Sequence, residues 1–190
     1  SPAGFVMPPG LAVHGHGPAG ILGAPPRAPN PGAPVILAAT MEGLCGVWFE
    51  GQRHGPSEER MQNWTPQTSN NFLQAASRQL LAYFAGELQR FDLPLDLSVG
   101  TPFQQSVWQA LLSIPLGASQ SYGDLARRLD KPKAVRAVGA AVGRNPVSII
   151  VPCHRVLGAG GRLTGYAGGL WRKQALLRLE GHPANMSELF

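Results

Sequence analysis

The residues best suited to chemistry are Cys153 and His154, which are adjacent and directly follow Pro152. A cysteine attacks as its thiolate, and a neighbouring base or cation lowers the thiol pKa from about 8.5. His154 supplies a base and Arg155 a cation. Because adjacent side chains diverge, we expect His154 to reach the Cys153 thiol through a bridging water. The pattern predicts a reactive cysteine.

A third residue completes a candidate relay. Glu180 is one of only two acidic residues after Asp130, and it follows a predicted helix over Leu170–Leu179. Negative charge is unfavourable at a helix C-terminus, so a carboxylate there favours a functional role over the alternative of an exposed helix end. We therefore predict that Glu180 orients His154 beside the nucleophile Cys153.

Three other roles are open to a cysteine in this position. A zinc site needs about four ligands, and one Cys-His pair with the distant Cys45 is too sparse. A structural, buried thiol suits Cys45 better, because Cys45 lies inside an apolar strand pattern. A cysteine hydrolase stays open as an alternative, although it leaves the basic segment upstream of Cys153 unexplained.

The chain around the cysteine predicts how it is presented. Ile149–Val151 has the pattern of a buried strand, and Pro152 cannot donate into a central ladder. The chain should therefore leave the sheet at Pro152 and display Cys153 at the end of the strand.

A pair of short helices is predicted upstream. Ser121 can cap a helix over 122–129, and a turn at Asp130-Lys131-Pro132 separates it from a second helix over 133–142, which is rich in Ala and Gly. This arrangement resembles a helix-turn-helix, although a tightly packed helix pair has the same pattern. A further helix is predicted to begin at Thr101-Pro102.

The first half of the chain predicts a small α/β unit. Two strands, Val35–Thr40 and Leu44–Phe49, flank a tight turn, and Asn70 or Asn71 can cap a helix that continues towards Leu88. Residues 1–34 hold 9 Pro, 7 Gly and one charged residue, which predicts a flexible lead-in. The segment 91–100 is expected to be a strand or a linker.

Charge is unevenly distributed. The chain has 190 residues and a net charge of +5, yet residues 1–98 carry 5 Lys/Arg against 7 Asp/Glu and residues 99–190 carry 11 against 4. Basic charge confined to one half is typical of a surface that meets a polyanion. No apolar run reaches the ~18 residues of a membrane span, and no secretory signal pattern is evident. Two cysteines and no disulfide framework favour an intracellular, reducing compartment.

Pro152-Cys153-His154-Arg155-Val156, preceded by Asn145-Pro146 and followed by Tyr166-Ala167-Gly168-Gly169-Leu170, resembles the active-site signature of the O6-alkylguanine-DNA alkyltransferases. The resemblance extends from about residue 35 to 182, through Gly43–Gln52 and Ser121-Tyr122-Gly123. It implies an α/β fold with an N-terminal RNase H-like domain over 35–98 and a C-terminal winged-helix-like, DNA-binding and catalytic domain over 99–182. Residues 1–34 and a tail over 183–190 lie outside it.

The resemblance implies direct DNA repair. The protein would flip O6-alkylguanine out of duplex DNA and move its alkyl group irreversibly onto Cys153, in a single turnover and without a cofactor. Some relatives hold a zinc ion in the N-terminal domain, but Cys45 is the only thiol available there, so we predict no metal. O4 of thymine would be a second substrate. The implied catalytic residues are Cys153, His154 as the water-linked base, Glu180, Asn145 beside the active-site loop, and Tyr122 against the departing guanine.

The resemblance also implies the contacts to DNA. Arg136 would enter the base stack from a helix in the minor groove, and Val142, Val156 and Ala167 would line the base pocket. Ala167 stands where some relatives have Ser, so the preferred alkyl group could differ. We expect a monomer with no membrane association, in the cytoplasm (with the nucleoid in a bacterium, in the nucleus in a eukaryote). The other implied DNA-binding residues are Ser121, Tyr122, Lys133, Ala134, Ala137 and Gly139.

Overall fold

An antiparallel sheet forms the first half of the chain. The computed structural model describes residues 3–6, 35–64 and 69–183. Strands β1 (Ala3–Val6), β2 (Val35–Ala39) and β3 (Leu44–Phe49) pair in the order β1-β2-β3. The predicted hairpin of β2 and β3 is confirmed. Both faces of β2 are buried, which explains why it is an unbroken apolar run.

One part of the lead-in prediction is wrong. Residues 3–6, assigned from composition to a flexible segment, pair with β2 from Ala3 against Ala39 to Val6 against Ile36. Composition averaged over 34 residues hid this short stretch, which contains no proline. The remainder of the predicted lead-in, residues 7–34, lies outside the described residues, as do 184–190 of the predicted tail.

Helices α1 (Glu58–Gln62) and α2 (Asn71–Phe84) follow the sheet. The Asn70 side chain accepts the backbone N–H of Leu73, which confirms the predicted cap. The helix ends at Phe84 and not near Leu88, because Gly86 takes a left-handed conformation (φ 76°) that stops it. The buried positions of α2 are Leu73, Ala76, Leu80 and Tyr83.

Strand β3 connects the two halves of the molecule through its backbone. Leu44 exchanges hydrogen bonds with the linker, donating to Pro94 and accepting from Asp96. Val47 donates to Pro146 and accepts from Ser148, at distances of 2.9 Å for both N···O pairs. The segment 91–100 is therefore a linker held to the sheet at Leu44 and not a strand of its own.

The second half is mainly helical. Helix α3 (Pro102–Leu111) begins with a capping box between Thr101 and Gln104, as its Thr-Pro start predicts. The two-residue strands β4 (Gln120–Ser121) and β5 (Val156–Leu157) pair in parallel. Buried side chains from both halves form one continuous hydrophobic core. The α/β unit of the first half and the helical unit of the second half therefore pack against each other. The remaining helices are α4 (Tyr122–Arg128), α5 (Val135–Gly143) and α6 (Leu170–Leu179), with 3₁₀ turns at Cys153–Arg155 and Ala159–Gly161.

Candidate active site

Cys153 is the first residue of the 3₁₀ turn Cys153–Arg155 and is 6% exposed. The predicted strand Ile149–Val151 does not form. In its place is a tight turn in which Ile149 has a left-handed φ of 73° and only Val147 bridges to the sheet. The turn presents the thiol, as predicted for the end of a strand. However, side-chain hydrogen bonds hold this segment in place, and not the backbone hydrogen bonds of a β-sheet.

Asn145 supplies those bonds. Its Oδ1 accepts the Val147 N–H at 2.9 Å and its Nδ2 donates to the Val151 carbonyl at 2.8 Å, while the whole side chain is buried. The Asn145 side chain also opposes the rise in the pKa of the Cys153 thiol that burial causes. One amide therefore holds both ends of the turn and acts on the nucleophile.

His154 and Glu180 meet as the sequence predicts. The His154 ring is completely buried, and its Nε2 lies 2.6 Å from Glu180 Oε1. Glu180 is buried as well, so the alternative of an exposed helix-end carboxylate is wrong. His154 Nδ1 is buried and makes no hydrogen bond to the part of the chain that the structure describes.

Two further groups hold the Glu180 carboxylate. Arg155 donates Nε to Oε2 and Nη2 to Oε1, both at 2.9 Å, and its Nη1 donates to the Ile114 carbonyl. Tyr83 of α2 donates its hydroxyl to Oε1 at 2.7 Å. The sequence predicts Arg155 beside the thiol, but its guanidinium is hydrogen-bonded to Glu180 instead.

Burial and hydrogen bonding set the charges of the site. Burial raises the pKa of the Cys153 thiol, against the bond from Asn145 and the positive charge of Lys173. Burial lowers the pKa of His154, against the bond to Glu180. Burial alone would raise the pKa of Glu180, but the bonds from His154 and Arg155 outweigh it and hold that pKa well below its usual range. At neutral pH the site holds a neutral thiol, a neutral imidazole and an ionised carboxylate.

Lys173 is a residue that the sequence analysis missed. It is fully buried in α6, and its Nζ donates to the carbonyls of Val156 at 2.5 Å, Thr164 at 2.8 Å and Gly165 at 3.3 Å. Burial lowers its pKa to about 8, against the opposing influence of Cys153. The cation that acts on the thiol is therefore Lys173 and not Arg155. The sequence around Lys173 gives no local sign of these partners.

A pocket of about 160 Å³ opens onto Cys153. Tyr122, Val142 and Ala167, all predicted for the site, line it together with Asn145. Val156, expected in the pocket, is not among its lining residues, because its side chain is buried in the core and its carbonyl accepts Lys173. The lining also includes Tyr166 of the quoted motif and residues that were not predicted for the site, among them Arg53, His54 and Gly165.

The first half of the chain closes one side of this pocket. Arg53 donates its backbone N–H to the Ala167 carbonyl at 3.0 Å. The neighbouring His54 has a left-handed φ of 57°, and slight burial with the charges of Arg144 and Arg53 lowers its pKa. No spacing or composition signal marks this exposed loop, which explains why it was missed.

Helices α4 and α5 stand beside the pocket. The Ser121 hydroxyl accepts the Asp124 N–H and donates to the Asp124 carboxylate, so this hydroxyl is engaged in capping α4. Helix α5 begins at Val135, two residues later than predicted, because Ala134 closes a turn onto Lys131. Trp108 of α3 donates to the Ala141 carbonyl and packs α5 against the core.

Helix α5 is packed on one side and open on the other. Val138, Ala141 and Val142 are buried, whereas Lys133, Arg136 and Ala137 are exposed; Ala134 and Gly139 are half-buried. Gly139 faces the Tyr122 ring, since a Cβ there would lie 3.7 Å from it. Helices α4 and α5 are thus packed tightly against each other, and α5 presents small and basic residues to solvent next to the pocket.

The described residues contain neither a cluster of metal ligands nor a membrane-spanning helix. Within residues 3–6, 35–64 and 69–183, no three His, Cys, Asp or Glu side chains lie together as metal ligands would. None of the helices in those ranges has the length and apolar character of a membrane span. Cys45 is half-buried, and burial raises its pKa to about 11, so little of this thiol is ionised at neutral pH.

Family models match both halves of the chain. Residues 32–97 match the 6-O-methylguanine DNA methyltransferase, ribonuclease-like domain, and residues 102–182 match the DNA binding domain of the same family. Residues that match the two models account for most of the chain. The expected α/β fold, with an N-terminal ribonuclease-like and a C-terminal DNA-binding domain, is confirmed.

Curated relatives and solved structures agree with the family models. A methylated-DNA–protein-cysteine methyltransferase of Methanosarcina acetivorans is 51% identical over 80% of this chain and 94% of the relative. One from Mycolicibacterium paratuberculosis is 60% identical over 77% and 85%. The crystal structure of Mycobacterium tuberculosis OGT in complex with DNA is 50% identical over 80% and 88%, with a TM-score of 0.71. The chain described here is a member of the 6-O-methylguanine DNA methyltransferase family.

Proposed function

We propose that this protein repairs DNA by moving an alkyl group from O6 of guanine onto the Cys153 sulfur, once per molecule. The observation that carries the proposal is a buried thiol that opens into a pocket and lies next to a buried His154–Glu180 pair. The names of the relatives, methylated-DNA–protein-cysteine methyltransferases, specify the same acceptor. A new S–C bond forms, the C–O6 bond breaks, and guanine is regenerated.

The side chains divide the proton transfers between them. Cys153 must lose its proton before attack, because it is a neutral thiol at rest. His154 Nδ1, buried with no hydrogen bond to the described residues, is the acceptor through a bridging water, and Glu180 stabilises the imidazolium that forms. Tyr122, in the same pocket with its pKa raised by burial and by Cys153, supplies a proton or hydrogen bond to the leaving guanine.

Because the Cys153 thiol is buried, the guanine base has to enter the pocket in order to react with it. Because Cys153 is 6% exposed inside a pocket, a guanine stacked in duplex DNA cannot reach it, so the nucleotide must rotate out of the helix. The exposed face of α5 fits the minor groove, with Arg136 filling the space that the base leaves. O4 of thymine presents a similar alkylated oxygen, and we include it as a second substrate.

All of these groups belong to one chain, so we propose that a monomer acts on double-stranded DNA without a cofactor. The proposed reaction also places the protein where DNA is, in the nucleoid or the nucleus. The M. tuberculosis relative was crystallised in complex with DNA, which supports DNA binding by this chain.

Isotope transfer tests the function directly. A duplex containing one O6-methylguanine with a labelled methyl group is mixed with excess protein, and the digest is analysed by mass spectrometry. We expect one labelled methyl on the peptide that contains Cys153, with saturation at one per protein. Stable binding without methylation would indicate a damage-recognition protein, and neither binding nor transfer would leave the cysteine hydrolase.

Replacing Arg136 by alanine separates base extrusion from chemistry. Arg136→Ala should slow repair of duplex DNA by roughly tenfold or more, because unstacking a base costs a few kcal/mol. The reaction with a free O6-alkylguanine base should be almost unchanged, since that base needs no extrusion. Arg78→Ala, which removes an exposed arginine of α2, is the charge-matched control. Equal losses on both substrates would contradict the proposed role of Arg136.

A further inference from the structure

Tyr83 connects the N-terminal half of the chain to the proposed relay. It lies in the last turn of α2, is 2% exposed and donates its hydroxyl to Glu180 Oε1 at 2.7 Å. The two residues are 97 positions apart in sequence. Burial, followed by the charge of Glu180, raises the pKa of Tyr83, so the hydroxyl keeps its proton and acts only as a donor to the carboxylate.

Three donors converge on the same carboxylate oxygen. Oε1 of Glu180 meets Tyr83, His154 Nε2 and Arg155 Nη2 at 2.7, 2.6 and 2.9 Å. The orientation of the His154 ring depends on where this oxygen lies, because the ring makes its one hydrogen bond to the described residues there. A fixed Tyr83 hydroxyl therefore restricts the rotation of the carboxylate that sets the His154 tautomer and ring plane.

The tyrosine is itself held rigidly. Its ring packs edge-on to Phe84 at 5.4 Å and tilted against Phe91 at 5.3 Å, measured between ring centroids. A buried aromatic ring with neighbours on two sides has little freedom to move its hydroxyl. The donor is consequently preorganised by the hydrophobic packing of α2 and of the linker.

We infer that Tyr83 is a positioning residue of the alkyl-transfer site, through which the N-terminal domain holds Glu180 and thereby His154. The inference rests on the proposed function for its kinetic consequences, but the hydrogen bond also has a consequence for His154 alone. In this arrangement the N-terminal domain contributes to the reaction as well as to the fold.

The expected effect on proton affinity follows from the charges around the pair. Glu180 hydrogen-bonds His154, Arg155 and Tyr83, and Tyr166 lies within the range of its charge. The positive charges of Arg155 and Lys173 lower the pKa of His154. Loss of the Tyr83 donor leaves the carboxylate less stabilised, so Glu180 attracts the proton on His154 more strongly and the pKa of His154 rises. Because the relay needs neutral His154, the acid limb of the rate profile should move to higher pH.

Tyr83→Phe removes the hydroxyl and keeps the ring. We expect methyl transfer at neutral pH to slow roughly tenfold, the equivalent of one hydrogen bond to a charged group, with unchanged affinity for DNA. The matched control is Phe72→Leu, which loosens the packing of the other end of α2 against the core and retains the Tyr83 hydroxyl. Its rate should stay within about twofold of the wild type, with an unshifted pH profile.

A double variant and a spectroscopic measurement complete the test. In a Glu180→Gln background, Tyr83→Phe should change the rate by less than about twofold, because the two groups act through one bond. In the histidine NMR spectrum of ¹⁵N-labelled protein, the His154 resonances of Tyr83→Phe should titrate at higher pH than in the wild type. That measurement does not depend on any alkyl transfer.

The outcomes are distinguishable. A wild type that transfers no methyl group contradicts the proposed function, and the NMR titration then decides the inference by itself. A wild type that is active, with Tyr83→Phe unchanged in rate, pH profile and His154 titration, overturns the inference. So does a Phe72→Leu variant that loses as much activity as Tyr83→Phe with the same pH shift, since loosened packing of α2 would then explain both.

Discussion

Serine at position 153 should abolish methyl transfer and leave DNA binding intact. A serine hydroxyl ionises far less readily than a thiol and is the weaker nucleophile, so we expect the rate to fall by at least ~10³-fold. The substitution is nearly isosteric, and Asn145 and the Lys173 charge stay in place around it. Burying a hydroxyl that keeps one hydrogen bond should cost no more than about 2 kcal/mol in the free energy of unfolding.

The experiment measures both methyl transfer and DNA binding for each variant. Methyl transfer is followed from a duplex with a single O6-methylguanine, and affinity for the same duplex is measured by fluorescence anisotropy. Cys45→Ser is the control, because Cys45 lies in β3 and does not line the pocket at Cys153. Residual transfer by Cys153→Ser at near the wild-type rate would mean that another group accepts the alkyl.

Glu180→Gln should lower both the rate of methyl transfer and the free energy of unfolding. Glu180 accepts hydrogen bonds from His154, Arg155 and Tyr83, and its side chain is fully buried. Removing its charge leaves the Arg155 guanidinium buried without a counterion, which typically costs about 3–5 kcal/mol. His154 also loses the acceptor that fixes its tautomer, so transfer should slow by roughly 10³-fold or more.

The pH dependence of stability gives a separate check on the same variant. The hydrogen-bonded Glu180 has a pKa in the folded protein well below that of an unfolded glutamate, about 4.3. Its stabilisation is therefore complete above that unfolded value and is lost as the pH falls towards the folded pKa. Wild type should lose stability between neutral pH and pH ~3 more steeply than Glu180→Gln.

Urea unfolding at neutral and acidic pH measures this difference. Glu87→Gln, which replaces an exposed glutamate just beyond α2, is the charge-matched control and should keep the wild-type dependence. If Glu180→Gln is as stable as wild type at neutral pH, the Arg155–Glu180 pair does not hold the site together as described.

Local signals in the sequence predicted much of this molecule. Caps at Asn70, Thr101 and Ser121 mark helix starts that the structure confirms, because a cap depends on residues three positions apart. The motif at Cys153 and His154, with Glu180 at the end of α6, likewise identified groups that lie together in the fold.

The errors have a common physical origin in long-range contacts. Ile149–Val151 has strand composition, but the Asn145 side chain takes over the backbone partners and folds the segment into a turn. Lys173 and Tyr83 act through partners that only the tertiary structure brings near. Neither a lysine within an apolar helix pattern nor a tyrosine in another domain carries a local mark of such a partner.

The backbone bonds of β3 have a further consequence for the solubility of separated halves. On the side away from β2, Leu44 and Val47 bond to the linker and to the segment that leads into the active-site turn. A fragment that ended near residue 90 would lose both partners and expose that side of β3 as an unpaired strand edge. Unpaired apolar edges recruit strands from other molecules. Such a fragment should therefore aggregate, whereas the full chain covers that edge with its own catalytic segment.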